Sequence, residues 1–263
     1  MNISPLQRRF VIKQRIYSIS VTLSRLILFL GFIGIWEFTA DKGIINAFIF
    51  SSPVRLYQTF MDLARDGVIF IHIWVTLYET LVAFAIITIV GIIFAILLWC
   101  FKGLSDCLEP FMVVLNSLPK SALAPMLIVW LGTNTKAIII TAVSVAIFGM
   151  IINLYTGFLE IDKEKITLIR TLGGKKWHIL CKLILPGSKK IIISNMKVNI
   201  GLCLVGVIIG EFLAAKKGLG YLIIYGSQVF KMSYVVLGIV ILCIISTLLF
   251  AFINIIQKLF LKD

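Results

Sequence analysis

The residues that could do chemistry are few in this sequence, and their spacing does not form a catalytic site. The two histidines, His72 and His178, are expected in separate loops on opposite sides, so they cannot share a metal ion or form a dyad. The segment 172–176, L-G-G-K-K, has the composition of a phosphate-binding loop but lacks the G-x-x-x-x-G-K-[ST] spacing. G-x-S-x-G and H-E-x-x-H motifs are also absent. We therefore expect no enzyme activity, no metal and no cofactor, so that a partner must supply energy for any active work.

The composition explains this shortage of polar groups. Of 263 residues, 60% are apolar and only 14% are charged, against about 25% charged residues in ordinary soluble domains. The mean hydropathy is +1.07. A water-soluble protein could not cover that much apolar surface, so the composition predicts an all-α integral membrane protein. A membrane β-barrel is disfavoured, because the uncharged stretches are too long for its strands.

Six transmembrane helices are predicted. Stretches without any charged residue are long enough to cross a bilayer at 80–101, 137–159 and 232–257. Three further spans contain or border single charges, at about 23–38, 111–131 and 191–213. Pro119 and Pro125 should kink or break the third span, since each removes a backbone donor.

The basic residues indicate the orientation. The chain has 25 Lys and Arg against 12 Asp and Glu, and 16 of the basic residues fall in the termini and connections of one side. The positive-inside rule places that side, with both termini, in the cytoplasm of a multi-pass plasma (inner) membrane protein. The excess of +13 is therefore read as an orientation signal. No basic platform rich in aromatic residues indicates a nucleic-acid partner.

The connection between the fourth and fifth spans, residues 159–190, is much longer than a tight turn requires. Apolar residues recur among its basic residues, which predicts two short amphipathic helices broken at Gly173-Gly174. Pro186 then precedes the next span. Two interpretations are open. The helices could rest on anionic lipid headgroups, or they could dock a cytosolic protein.

A family resemblance lies in this same connection. Gly173 is followed, after nine residues, by the segment 183–186, L-I-L-P. This spacing resembles the second half of the cytoplasmic signature of ABC-importer permeases, E-A-A, three residues, G, nine residues, I-x-L-P. The first half departs, because 167–169 reads T-L-I where E-A-A is expected. The segment 170–173, R-T-L-G, still resembles the A-R-x-L-G form.

Further matches extend over roughly residues 50–230 and resemble the nitrate/sulfonate/taurine subgroup. The segment 51–53 resembles L-P-S-P, and 118–125 with 130–132 resembles I-P-x-x-A-x-x-P followed by W-F-G. The segment 217–223 matches G-L-G-x-L-I. The chain is identified by these ordered matches as a member of the binding-protein-dependent ABC importer permeases.

The resemblance implies the type I ABC importer permease fold and a division of labour. Two permease subunits, expected to be a homodimer in membrane lipid, would form the translocation pathway. Two separate ATP-binding cassette subunits would hydrolyse ATP, and an extracytoplasmic binding protein would deliver the substrate. The resemblance implies that the residues matching the family signature in the long connection couple the permease to the ATPase. They are Thr167, Leu168, Ile169, Arg170, Gly173, Leu183, Leu185 and Pro186.

The implied domain organisation follows the predicted spans. Residues 1–45 hold the cytoplasmic amino terminus and the first transmembrane helix, and 46–68 form an extracytoplasmic connection. Residues 69–257 form the ABC transmembrane type-1 permease domain, with the coupling loop at 159–190. Residues 258–263 are a cytoplasmic tail.

Four ionisable residues in or at the spans are candidates for the pathway, because charge in a membrane is costly. Lys120, near mid-depth, is the better candidate for an anion pathway. Lys197 either reaches the cytoplasmic interface, lies in the pathway or pairs with a carboxylate. Glu79 stands where the subgroup has arginine, so it is either an outer-interface carboxylate or a sign of a different substrate. Glu211 either meets the binding protein or braces the gate.

The substrate predicted from the subgroup is a small anion such as nitrate, a sulfonate or taurine. Other possibilities, both within transport and outside it, stay open. A permease of the same fold could carry another solute, such as a vitamin precursor. An intramembrane enzyme and a structural membrane scaffold are the alternatives from other classes, and the missing catalytic cluster argues against the first of them.

Overall fold

The computed structural model describes residues 5–260, and this part of the chain contains helices and no strand. The first four residues and residues 261–263 of the predicted tail lie outside the described residues. The helices are α1 (Pro5–Asp41), α2 (Ala47–Phe50), α3 (Pro53–Arg65), α4 (Val68–Cys100), α5 (Lys102–Ser117), α6 (Lys120–Leu131), α7 (Thr135–Leu159), α8 (Lys163–Thr171), α9 (Lys176–Ile179), α10 (Leu185–Gly187), α11 (Lys189–Ala214), α12 (Leu219–Gln228) and α13 (Met232–Phe260). A π-helical turn, Leu180–Ile184, joins α9 to α10. The predicted all-α class is confirmed.

The six predicted spans are found as five continuous helices and one bent pair. Within the described residues α1, α4, α7, α11 and α13 are each long and apolar enough to cross a membrane. Helices α5 and α6 meet this criterion only together, and their axes differ by 95°. The break falls at Leu118 and Pro119, as the proline predicts. Pro125 lies inside α6.

The second span differs from its predicted bounds. Helix α4 begins at Val68, whereas the charge-free stretch begins at residue 80. The prediction began the span after Glu79, because that carboxylate borders the charge-free stretch 80–101. Glu79 is instead buried among neighbouring helices, so the membrane span of α4 extends past it.

The core lies between α4, α7, α11 and α13. Buried side chains from all four meet in one cluster, which includes Ile87 of α4, Leu154 and Phe158 of α7, Cys203 of α11 and Ile253 of α13. Their apolar surfaces pack without the hydrophobic driving force that water provides, so tight contact supplies the association. Helix α1 is peripheral: among the side chains described in its membrane-spanning stretch, Ile19–Asp41, only Ala40 is buried.

Glycines on α11 allow its close approach to α7. A Cβ atom placed on Gly206 would lie 2.7 Å from the Cα atom of Ala142. One placed on Gly210 would lie 3.1 Å from the Cα atom of Ile138. These contacts are with backbone, which cannot move aside as the end of a side chain can. Helix packing therefore requires glycine at these two positions.

The substitution Gly206→Ala should push α11 away from α7 and lower the thermal stability of the protein. The expected cost is about 1–3 kcal/mol, the usual cost of overpacking. Gly201→Ala is the matched control, because a Cβ atom at Gly201 meets nothing within 4 Å. Thermal unfolding of both variants in detergent measures the difference. Equal melting temperatures would show that α7 and α11 are not packed as described.

Candidate functional site

A buried polar cluster lies at one end of the bundle, which we call the Gly218 end. Helix α4 contributes His72, Thr76 and Glu79, whose spacing of four and then three residues places them on one face. Helix α11 contributes Glu211, which has no exposed surface. All four side chains are buried. Buried polar groups need partners, and most of the partners are at the start of α12.

Three consecutive backbone N–H groups at the start of α12 are bound by side chains of this cluster. Gly218 N–H donates to Nδ1 of His72 at 2.9 Å, and Leu219 N–H donates to Thr76 Oγ1 at 2.8 Å. Gly220 N–H donates to Glu211 Oε2. Thr76 in turn donates its hydroxyl proton to Glu211 Oε1 at 2.6 Å. The cluster thus satisfies the N–H groups that the first turn of a helix leaves unpaired.

The carboxyl group of Glu211 fits against backbone that has no side chains. Gly218 has φ +114°, a left-handed conformation that favours glycine. A Cβ atom at Gly218 would overlap the Glu211 carboxyl group, and one at Gly220 would lie 2.8 Å from its Oε2 atom. The G-L-G motif therefore has a physical role, because it lets a buried carboxylate reach a helix amino terminus, where negative charge is favourable.

Glu79 is placed differently from Glu211. Its carboxyl group lies beside that of Glu211 and contacts Thr135 at the start of α7. Only 1% of Glu79 is exposed, and its Oε2 atom has no hydrogen-bond partner in the described part of the chain. Glu79 also lines a pocket at the Gly218 end.

The two candidate lysines lie apart from each other and from this cluster. Lys120 begins α6 at the break, and its Nζ atom donates to the backbone oxygen and, at 3.3 Å, to the side chain of Asn116. Lys197 donates to Gln257 on α13 and lies over the ring of Phe250, 5.6 Å from its centroid. The contacts of Lys197 tie α11 to α13 near the other end of the bundle, which we call the Gly173 end.

The long basic connection is folded at the Gly173 end. Asp162, the residue before helix α8, caps it: its side chain accepts a hydrogen bond from Glu164 N–H at 2.9 Å. It ends before Gly173, which has φ +80° and reverses the chain. Gly174 packs on Ile169, where a Cβ atom would lie 2.7 Å from the backbone oxygen. The expected pair of short helices broken at Gly173-Gly174 is therefore present as α8 and α9.

Large apolar side chains of this connection are exposed. Leu172 is 78% exposed, Trp177 is 68% exposed and Leu168 is 59% exposed. Two residues after Trp177 the chain enters the core, where Ile179 and Leu180 are buried. The exposed side chains of Leu168, Leu172 and Trp177 thus form an apolar surface, which we call the apolar knob. Ile179 and Leu180 attach this part of the connection to the helix bundle.

The residues assigned to coupling by resemblance divide into two groups. Thr167, Leu168, Arg170 and Gly173 are exposed, and Ile169 is partly buried. Leu183 and Leu185 are partly buried and pack on the core, whereas Pro186 is exposed beside them. The first group can be touched by a partner, and the second lies where the connection joins α11.

Sequence reasoning missed His72 and Thr76. His72 was expected in a loop, but it lies in α4 and accepts a backbone hydrogen bond. The signal that could have identified both residues is their helical spacing from Glu79. Within the described residues, no group of three His, Cys, Asp or Glu side chains could hold a metal ion.

The fold and the folded basic connection define the class of protein. Residues 87–263 match the family described as the binding-protein-dependent transport system inner membrane component. The chain belongs to this family. It is therefore a multi-pass permease of the inner membrane, and the family is one of transport proteins and not of enzymes.

Individual relatives agree with this family. SsuC of Bacillus subtilis, named as an aliphatic sulfonates transport permease protein, is 26% identical over 231 residues, which cover 88% of this chain and 83% of SsuC. ThiX of Halalkalibacterium halodurans, named as a formylaminopyrimidine transport permease protein, is 25% identical over 195 residues, covering 74% of this chain and 77% of ThiX.

A solved structure shares the fold. A chain of the MetNI methionine ABC transporter in an inward-facing conformation superposes with a TM-score of 0.66 and 19% identity. The match covers 74% of this chain and 96% of the MetNI chain. The predicted type I ABC importer permease fold is confirmed by this likeness.

Proposed function

We propose that this chain is the translocation subunit of an ATP-driven importer whose ATP hydrolysis takes place on separate ATP-binding cassette subunits. The observation that carries the proposal is the apolar knob of the Gly173 end. Leu168 and Leu172 are exposed beside a fixed glycine turn, although a soluble surface rarely presents large apolar groups together. A groove on an ATPase subunit would cover them. Contact with lipid headgroups at the same surface is the alternative.

The orientation follows from that assignment. The Gly173 end, with both termini, is placed in the cytoplasm, and the Gly218 end is placed outside. The number of basic residues in the 159–190 connection supports this orientation through the positive-inside rule. The binding protein would then meet the loops of the Gly218 end.

The assembly is proposed to contain two copies of this permease, two ATPase subunits and one binding protein, in membrane lipid. Within residues 5–260 the bent pair carries exposed apolar side chains, including Phe111, Val114 and Trp130. A second copy or lipid would cover them. The pathway candidates divide accordingly: Glu79 and Glu211 belong to the outer end, Lys120 lies at the break, and Lys197 ties two helices together.

The substrate is proposed to be a small organic anion of the sulfonate class. Support comes from SsuC, whose name describes transport of aliphatic sulfonates. A heterocyclic vitamin precursor is the second candidate, supported by the name of ThiX.

Reconstitution of the complete importer tests the proposed function. The chain should co-purify with an ATPase subunit when both are expressed together. Proteoliposomes of this complex should accumulate a sulfonate when ATP and the loaded binding protein are supplied on opposite sides. Uptake that needs no ATPase subunit, or activity of the single chain as an enzyme, would contradict the proposal.

A further inference from the structure

A second pocket at the Gly218 end has one basic wall and one aromatic wall. It has a volume of about 280 Å³ and is lined by residues of α2, of α3 and of the beginning of α13. Helix α13 has the length and apolar character of a membrane span from its first residue, Met232. The pocket therefore lies where a span leaves the hydrocarbon core, which is the level of the lipid headgroups.

The basic wall has cationic groups from two separate elements. Arg55 belongs to α3 and Lys231 to the connection between α12 and α13, and both line the pocket. The ammonium group of Lys231 lies 5.1 Å from the centroid of the Tyr234 ring, a contact that favours its position at the pocket. The guanidinium group of Arg55 has five N–H donors, enough to serve a neighbour in this chain and a ligand together.

The other polar groups of the lining add little to anion binding. The Thr59 hydroxyl donates to the backbone oxygen of Arg55 at 2.8 Å, and the Ser233 hydroxyl shares a hydrogen bond with that of Ser51. Among the described residues that line the pocket, none is acidic. Glu37 lies close by, but its carboxylate accepts from Val54 N–H at 3.0 Å. The capacity to bind an anion therefore rests with Arg55 and Lys231.

The aromatic wall is exposed and continues onto an apolar surface. Phe230 is 67% exposed and Phe48 is 61% exposed, and both line the pocket. Ile49 and Phe50, which follow Phe48 in α2, are exposed as well. Acyl chains would cover this surface at the edge of the bilayer. Cations beside exposed apolar groups match a lipid, whereas a soluble anion would use only the basic wall.

The backbone at Phe230 is a separate indication of an external contact. Phe230 has φ +57° at the end of α12, where Lys231 N–H donates to Gly226 O at 2.8 Å. Glycine is the usual residue in such a turn, because other side chains are strained there. The exposed ring of Phe230 packs little on its own chain. We therefore expect its contribution to come from a contact outside the chain.

We propose that this pocket binds the headgroup of an anionic phospholipid, with the phosphate against Arg55 and Lys231 and the acyl chains against Phe48 and Phe230. Basic pockets at the membrane surface bind such headgroups. In the orientation proposed above, the lipid belongs to the outer leaflet. The inference does not depend on the substrate or on ATPase docking. Because the pocket joins α3 to α13, the bound lipid would hold the outer connections together.

Native mass spectrometry of the assembled importer tests the site. The probes are dioleoylphosphatidylglycerol and dioleoylphosphatidylcholine, which share the phosphate and acyl chains and differ in net charge. The wild-type importer should bind phosphatidylglycerol about tenfold more tightly or better, since a hydrogen bond to a charged group is worth that factor. The double variant Arg55→Gln/Lys231→Gln should lose this preference.

Two basic residues outside the pocket provide matched controls. Arg65→Gln changes an exposed arginine of the same helix, α3. Lys42→Gln changes an exposed lysine whose ammonium group also lies near a ring, 5.7 Å from the centroid of Phe38. Neither residue lines the pocket. Both variants should keep the preference for phosphatidylglycerol.

Phe230→Gly separates lipid binding from a structural role. In detergent without added lipid this variant should melt at a higher temperature than the wild type, because glycine relieves the strain of the turn. The rise in melting temperature on addition of phosphatidylglycerol should be smaller than in the wild type. A residue with only a structural role would not change the response to lipid.

Four results would overturn the lipid site. The first two are equal binding of both lipids by the wild-type importer and a preference that survives the double variant. The third is competition by glycerol 1-phosphate at the concentration of the lipid, which would assign the basic wall to a soluble anion. The fourth is loss of binding-protein affinity in the double variant without any lipid preference, which would assign the pocket to an acidic surface of that protein. Failure of ATP-driven uptake with normal lipid preference contradicts the proposed function alone.

Discussion

Replacing Gly173 by aspartate is expected to abolish assembly with the ATPase and coupled uptake while the permease still inserts into the membrane. Gly173 turns the chain beside the exposed Leu168 and Leu172. A Cβ atom at Gly173 would have no neighbouring atom of this chain within 4 Å. The added side chain therefore projects into the surface that a partner would contact. Its φ of +80° adds backbone strain, since side chains rarely adopt this conformation. Co-purified ATPase should fall at least about tenfold, the effect of losing about 1.4 kcal/mol or more of binding energy.

Gly43→Asp is the matched control for this variant. Gly43 also has a positive φ, of +68°, and open space around its Cβ position, but it lies in the connection after α1. Both variants thus add one negative charge at a glycine with positive φ and open surroundings, and they differ in where that glycine lies. Gly173→Asn separates charge from shape, and we expect an intermediate loss. Normal co-purification and uptake with Gly173→Asp would contradict the docking assignment.

The breaks in the helices were predictable where a single residue type determines them. Pro119 cannot donate a backbone hydrogen bond and disfavours helix in the residue before it, so a break at Leu118 follows from the sequence alone. The angle of 95° between α5 and α6 does not follow from it. That angle depends on how α6 packs against α7 and α11, which are distant in sequence.

The charged residues within the spans were harder to place. A carboxylate was expected at the end of a span, so the predicted second span began after Glu79. Helix α4 instead starts at Val68, and the polar face of His72, Thr76 and Glu79 lies inside the bundle. Hydropathy reports the cost of a polar group in the membrane. It does not report the partners that offset this cost. For His72 and Thr76 these are the backbone N–H groups of Gly218 and Leu219, more than one hundred residues away in sequence.

Lys197 shows the same limit. From sequence, its position in an apolar span left three interpretations: an interfacial side chain, a group in the pathway, or a partner of a carboxylate. The structure adds Gln257 and the ring of Phe250 as its contacts. An amide on another helix can be found only once the packing of α11 on α13 is known. The G-L-G motif at 218–220 was recognisable by resemblance, but its reason is the carboxyl group of Glu211, which fits only against glycine.

The second large effect is expected from Glu211→Ala, which should release the start of α12 and reduce uptake at least about tenfold. The substitution removes the acceptor of both Thr76 Oγ1 and Gly220 N–H and leaves these buried donors unpaired. Each unpaired buried group costs about 1–3 kcal/mol. The cost falls on the segment Gly218 to Gly220, because three of its N–H groups depend on the cluster. Hydrogen exchange of these amides should accelerate markedly, whereas amides in the middle of α7 should not change.

Two further variants decide whether the loss comes from the hydrogen bonds or from the charge. Glu211→Gln keeps one acceptor oxygen, and its new amide group can donate to the neighbouring Glu79, so this variant should retain more stability and more protected amides than Glu211→Ala. Asp62→Ala removes an exposed carboxylate of the same chain and should leave exchange and uptake unchanged. If Glu211→Ala leaves the exchange of the Gly218, Leu219 and Gly220 amides at the wild-type rate, the side-chain cluster does not hold the start of α12. If exchange accelerates but uptake stays normal, the cluster stabilises the fold without contributing to transport. Releasing a segment that takes part in gating would change the rate of uptake.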